Sequence, residues 1–165
     1  CESDDYWDPN YLEEKIKIIN NYANPNIIIN DLDVFGDRER CARFQRIIDN
    51  RYVKYSKLKN RISVKDFRNL NYIMTFSCCM VKKSELLKCN FLDVPRRSNL
   101  DWWLWRQLCF NNSIWYVDKK LTHWYMHDSY KQHENNDEAA QQKALINQSD
   151  KLLKKQHPFC YYVKS

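Results

Sequence analysis

Glu2, Asp4 and Asp5 set three carboxylates within four residues at the head of the chain, and charges of one sign at that spacing repel unless a cation or a set of donors holds them. Hard divalent ions such as Mg²⁺ and Mn²⁺ take carboxylate oxygens and keep positions open for substrate phosphates, so this knot points to metal-assisted phosphate chemistry. Acidic residues ahead of a helix also serve its positive end, and that structural role stands beside the chemical one. Asp101 is the second carboxylate of interest, three residues after Ser98 in the pattern of a capping box. The pattern predicts that Asp101 lies in the first turn of a helix, where the helix N-terminus favours the ionised form a general base requires. Capping alone would equally account for it. His123 and His127 complete the set. On a strand they share a face with Tyr125 but stand about 13 Å apart, too far to hold one ion, so at most one of them joins a given site.

Trp102, Trp103 and Trp105 follow Asp101 directly. Three indoles in four residues spread around most of a helix, so one or two belong to the core, while an exposed one could stack on a sugar ring.

These residues need elements to position them. Asp8 can cap a helix with Pro9 at its first position and Glu13 and Glu14 in its first turn, burying Leu12, Ile16 and Ile19 and stopping at Asn20-Asn21. Ile27 to Phe35 and Tyr72 to Val81 read as strands, the second more deeply buried. Between them Cys41, Phe44, Ile47 and Ile48 recur at helical spacing, with Arg40, Arg43 and Arg46 on another face. Ile114 to Val117 and Leu121 to His127 read as a hairpin turning at Asp118-Lys119-Lys120. From Asn135 to Lys155 the chain reads as one helix, with Leu145 and Leu152, and Ile146 and Leu153, seven apart. The fold class is α/β.

A chain of 165 residues with 44% apolar and 29% charged residues can bury a core, which predicts a soluble globular domain. Seven cysteines, an odd number without Cys-x-x-Cys, argue against a disulfide framework or a zinc ribbon. The longest apolar stretch, Ile73 to Val81, is interrupted by Thr75 and Ser77 and falls short of the ~20 residues that span a bilayer. The chain opens on Cys and acidic residues with no basic-then-apolar leader, which reads as a cut inside a longer, cytoplasmic protein. Its net charge of +6 is concentrated between Arg38 and Arg68, where eleven Lys and Arg face Glu39, Asp49 and Asp66, giving 11 − 3 = +8. A solvated helix face, an anionic membrane surface, a diphosphate-bearing acceptor and nucleic acid all fit such a segment. Gly36 is the only glycine, which excludes a phosphate-cradling glycine loop within this sequence.

Taken together, Cys1-Glu2-Ser3-Asp4-Asp5-Tyr6-Trp7 with Asp8-Pro9-Asn10 resembles the Asp-x-Asp segment of family 2 glycosyltransferases of the GT-A fold. Phe76-Ser77 leading to Met80 through Leu86 resembles that family's acceptor-side strand and following helix. Asn99 to Arg106 resembles the helix that bears the catalytic Asp, and Ile114 to His127 the closing hairpin that ends in a His before Ser129. The resemblance covers Cys1 to about Asn30 and Tyr72 to Tyr130, with residues 1–130 as the catalytic portion and 131–165 as a helical tail.

The resemblance implies a GT-A-like mixed sheet flanked by helices, with only the acceptor-side half in this sequence. It implies an inverting transferase that moves a hexose or N-acetylhexosamine from a nucleotide-diphosphate sugar, a UDP-sugar foremost, to a hydroxyl of a glycan or lipid-linked acceptor. Asp4 and His127 would bind Mn²⁺ or Mg²⁺, Glu2 and Asp5 would serve the donor, Asp101 would be the base, and Trp102 and Trp103 would meet the acceptor. Peripheral contact with the inner face of a membrane would come through segment 38–68 or the tail. The nucleotide-binding half would precede residue 1, leaving this piece inactive alone. Two other classes remain open: a basic nucleic-acid-binding module, which leaves Asp4, Asp101 and His127 without a role, and a catalytically inactive interaction domain with a glycosyltransferase-like fold.

Overall fold

The computed structural model describes residues 1–22, 25–58, 67, 71–94, 99–112, 114–127 and 138–158. They form a mixed α/β structure around a four-stranded sheet of order β1-β4-β2-β3, comprising β1 (Tyr6–Trp7), β2 (Ile27–Gly36), β3 (Cys79–Val81) and β4 (Ile114–Met126). β4 runs parallel to β2 and antiparallel to β1, while β3 closes the other edge antiparallel to β2. Five helices surround the sheet: α1 (Tyr11–Asn21), α2 (Arg38–Leu58), α3 (Lys83–Leu86), α4 (Leu100–Asn111) and α5 (Glu138–Gln156).

The expected hairpin at Asp118-Lys119-Lys120 does not form. β4 is one continuous strand, and the pairing with β2 steps from Asn30↔Val117 to Asp31↔Lys120 and then to Leu32↔Thr122, so the extra residues are absorbed as a bulge. Tight hairpin turns need positive φ, which Asp-Lys-Lys lacks a glycine to supply. The expected strand from Tyr72 also shortens to Cys79–Val81, preceded by a 3₁₀ turn at Phe76–Cys78. The Thr75 hydroxyl accepts from Ser77 N at 3.1 Å, a local bond that competes with strand pairing.

α1 begins two residues later than Pro9 and Asp8 predict, at Tyr11 after Asn10, while Asp8 makes a turn by accepting from Asn10 N at 2.8 Å. Its buried stripe also differs. Leu12 and Ile16 remain about half exposed, and Tyr11 and Lys15 are enclosed, with Ile18 and Ile19 packing beside Tyr11. Trp7 stacks on Tyr11 at 4.1 Å and fixes that face of the helix against the sheet. Lys15 Nζ donates to the carbonyls of Ile28 (3.0 Å) and Cys78 (3.1 Å) and lies 4.8 Å from the Tyr11 ring centroid. Burial without a carboxylate partner brings its pKa down to about 8.

The main core lies on the opposite face of the sheet, where Ile27, Ile29 and Leu32 meet Ile48 and Phe44 of α2 and Trp102, Trp103 and Trp105 of α4. α2 therefore carries the predicted apolar stripe, and Arg43 and Arg46 are exposed. α5 packs on α4: Arg106, fully buried, donates through Nε to Ser149 Oγ at 2.7 Å and through Nη2 to Asp150 Oδ1. The tail helix is thus docked on the domain. The six cysteines among the described residues are all free thiols. No helix among the described residues is long and apolar enough to cross a membrane. Ser98, much of the basic segment beyond Leu58, and the proposed boundary at 130/131 lie outside the described residues.

Candidate functional site

The acidic head of the chain is pinned where β1, β4 and the 3₁₀ turn meet. Glu2 N donates to Ser77 Oγ at 2.8 Å, Trp7 Nε1 donates to Ser77 O at 2.7 Å, and β1 pairs with Thr122 and His123 of β4. That anchoring aligns Asp4 with the end of β4. Asp4 Oδ2 and His127 Nε2 meet at 2.6 Å although 123 residues separate them in sequence. Both side chains are partly open to solvent. Arg40 Nη1 holds the next link by donating to the His127 carbonyl at 2.7 Å.

Asp5 points inward from the same turn. Its Oδ1 accepts from Tyr125 N at 3.1 Å and its Oδ2 lies 3.1 Å from Thr75 Oγ1, which also bonds Glu2 Oε2. Thr75 has one hydroxyl hydrogen for two carboxylates, so this corner holds more acceptors than donors. No Lys or Arg forms an ion pair with Glu2, Asp4, Asp5 or Asp101 among the described residues.

Asp101 sits in the first turn of α4, as predicted, with Asn99 at the cap position making no side-chain cap bond. Asn71 Nδ2 donates to Asp101 Oδ2 at 2.6 Å. The ionisation differs from the helix-end expectation: burial pushes the Asp101 carboxyl up, and the Glu2 charge adds to the rise, outweighing the bonds from Trp102 N and Asn71. A carboxylate shifted this way is a stronger base once ionised. Asp101 and Glu2 therefore feel each other electrostatically, which ties α4 to the acidic head of the chain.

Trp102 and Trp103 are placed otherwise than an acceptor contact requires. They are 3% and 0% exposed, and their indole N–H groups donate to Phe67 O and Asn90 O. Their work is packing, because an indole enclosed by the core offers no face to a ligand. His123 belongs to a separate pair, its Nδ1 lying 2.6 Å from Asp33 Oδ1, so the two histidines serve different partners as strand geometry predicts.

Thr75, Asn71 and Asp33 are site neighbours that the residue pattern does not single out. Thr75 alone carries a signal, as a polar interruption of the apolar run from Ile73. The family models, the curated proteins and the solved structures contain no match to this chain.

The donor chemistry at Asp4 and His127 suits a divalent ion of the Mn²⁺ class, which accepts both carboxylate and imidazole. No group of three or more His, Cys, Asp or Glu lies together in ligating arrangement among the described residues. Two protein ligands suit an ion whose remaining positions go to phosphate and water, since Mg²⁺-type sites commonly use one or two carboxylates plus substrate phosphates.

Proposed function

We propose that these residues are the acceptor-side catalytic portion of an inverting, metal-assisted glycosyltransferase with a GT-A-like sheet, acting on a nucleotide-diphosphate sugar, a UDP-sugar foremost, and a hydroxyl acceptor. The observation that carries the reading is the approach of Asp4 to His127, together with an Asp101 carboxyl that burial pushes up and the nearby Glu2 charge raises further. Asp4 and His127 would hold Mn²⁺ or Mg²⁺, which when bound offsets charge on a departing diphosphate. Asp101 takes the proton of an acceptor hydroxyl, whose oxygen attacks the anomeric carbon from the side opposite the leaving group, so the centre inverts. Asn71 Nδ2 and the backbone N–H of Trp102 both donate to that carboxylate and orient it. Glu2 and Asp5 border the donor, held at fixed spacing by Thr75.

The test is a screen of nucleotide sugars with Mn²⁺ against the intact protein that carries these residues, following release of nucleoside diphosphate. Asp101→Asn should lower turnover by about 10²–10⁴-fold while the melting temperature stays close to that of the wild type. Turnover undiminished in Asp101→Asn refutes the assignment.

A further inference from the structure

Among the described residues, no helix covers one face of the sheet beyond the bulge. α1 covers the opposite end of the same face through Tyr11, Ile28, Val117 and Leu121. Past the bulge, residues of β1, β2 and β4 form a continuous row of rings instead. His123 stacks on Tyr6 at 4.3 Å, Tyr6 meets Phe35 edge-on at 5.0 Å, Phe35 meets Tyr125 at 5.0 Å, and Tyr125 meets His127 at 4.5 Å. The row runs from the Asp33–His123 pair to the Asp4–His127 pair, and Tyr6 near its start is 50% exposed.

The polar groups along this row are unspent. Tyr6 Oη and Tyr125 Oη make no hydrogen bond among the described residues, and Asp33 uses only Oδ1, leaving Oδ2 to accept. Half-exposed Tyr6 with partly exposed Phe35 and Tyr125, interleaved with hydroxyls and a carboxylate acceptor, matches a partner with apolar C–H patches and many hydroxyls. Charge narrows the partner further. With no cation at Asp4, the carboxylates of Asp33 and Asp4 stand at the two ends and repel phosphate, while the Arg40 guanidinium donates to the His127 carbonyl. A neutral saccharide fits where a nucleic acid or an anionic membrane does not.

We propose that the Tyr6–Phe35–Tyr125 row, with Asp33, binds a neutral oligosaccharide, the acceptor of the transfer proposed above. As an acceptor site the inference rests on that reading; as a saccharide site it stands on the row itself. It also supplies the contact that Trp102 and Trp103, enclosed in the core, do not make. Gly36 supports the surface at the far end of β2. Its φ is +109°, and a Cβ at this position would come within 2.6 Å of Met126 O, so there is room for no side chain and the strand end lies flat against Tyr125.

The experiment is binding of the protein, in EDTA, to an array of neutral cello-, malto-, chito- and galacto-oligosaccharides, with a labelled oligothymidylate as the nucleic-acid arm. At least one glycan series should be retained, and Tyr6→Ala and Phe35→Ala should each weaken it by about tenfold. Asp33→Asn, which keeps the rings and the volume, should weaken it too. Retention of no glycan, retention unchanged in Tyr6→Ala, or ring-dependent binding of the oligothymidylate in place of glycans overturns the proposal. Half-exposed Tyr6 carries the test if Phe35→Ala fails to fold. Glycan binding in EDTA is independent of Asp101, so loss of the transferase reading leaves it standing, and Mn²⁺-dependent nucleoside diphosphate release without glycan binding separates the converse failure.

Discussion

The β2–β4 pair is two different structures joined at a bulge. Before it, Ile27, Ile28 and Ile29 run beside Ile114, Trp115 and Tyr116, and helices cover both faces, α1 on one and α2 with α4 on the other. After it, Leu32 and Val34 still face the core, but Asp33, Phe35, His123 and Tyr125 face outward. A run buried on both faces becomes one that is only partly buried, with polar and aromatic side chains on its outer face, as in a strand that keeps one face open. The difference separates stability from chemistry: one half holds the sheet together, and the other presents carboxylates, imidazoles and rings where a ligand can reach them. Glu2, Asp4 and Asp5 attach to the second half through β1.

The sharpest way to break this division is Ile29→Ala. Ile29 is 2% exposed among Trp and Ile side chains, and deletion of a buried aliphatic group of this size should cost about 2–5 kcal/mol. The urea midpoint should fall accordingly, whereas Tyr6→Ala in the open half should move it by less than about 1 kcal/mol. Equal losses would mean that the open face is part of the core.

A smaller effect comes from Lys15, which belongs to the covered half through the carbonyls of Ile28 and Cys78. Its folded pKa is about 8 against an ordinary 10.5. Between those values the unfolded chain binds a proton that the folded chain has given up, so the stability owed to Lys15 rises with pH across that window and its cost is full below pH 8. The unfolding free energy of the wild type minus that of Lys15→Met should therefore climb by up to roughly 1 kcal/mol per pH unit from pH 8 to 10.5. Burial pushes up the neighbouring thiols of Cys78 and Cys79 while the Lys15 charge lowers them, so the difference reports Lys15 together with its coupling to these two thiols. A flat difference would mean that this ammonium is hydrated and that the covered half admits water.

Much of this architecture is legible in the residues. Ile27–Gly36 follows from its β-branched run, α2 from the spacing of Cys41, Phe44 and Ile48, and α5 from apolar pairs seven residues apart. The meeting of Asp4 with His127 is an expectation of the resemblance, and periodicity carries no trace of it, because a contact across 123 residues depends on β1 pairing with β4. Local patterns mislead where long-range pairing wins. Asp118-Lys119-Lys120 looks like a turn, yet β2 pairs with β4 on both sides of it and keeps it within one bulged strand. Leu12 and Ile16 look like a buried stripe, yet the Trp7–Tyr11 stack rotates α1 toward Tyr11 and Lys15. The Trp cluster is indistinguishable in sequence from a ligand platform, and only its enclosure by Phe67, Asn90 and the sheet identifies it as core.

The finest test joins the acidic head of the chain, which belongs to the open half, to Asp101 of α4 and asks whether their charges act as one field. Burial is the main reason that Asp101 is shifted up, and the Glu2 carboxylate adds to it, while the Asn71 amide opposes it by favouring the ionised form. If Asp101 is the base, activity is lost as pH falls through its pKa, and the acid limb of kcat/KM reports that group in the free enzyme. Glu2→Gln removes the repelling charge, so the limb should move to lower pH; Asn71→Ala removes a donor, so it should move to higher pH. Each displacement should be less than about one pH unit, and the opposite signs are what matter, because a general loss of structure would not push the limb in two directions. Both limbs staying at the wild-type position would detach Glu2 and Asn71 from Asp101 and leave the acidic head of the chain and α4 as neighbours without a shared function.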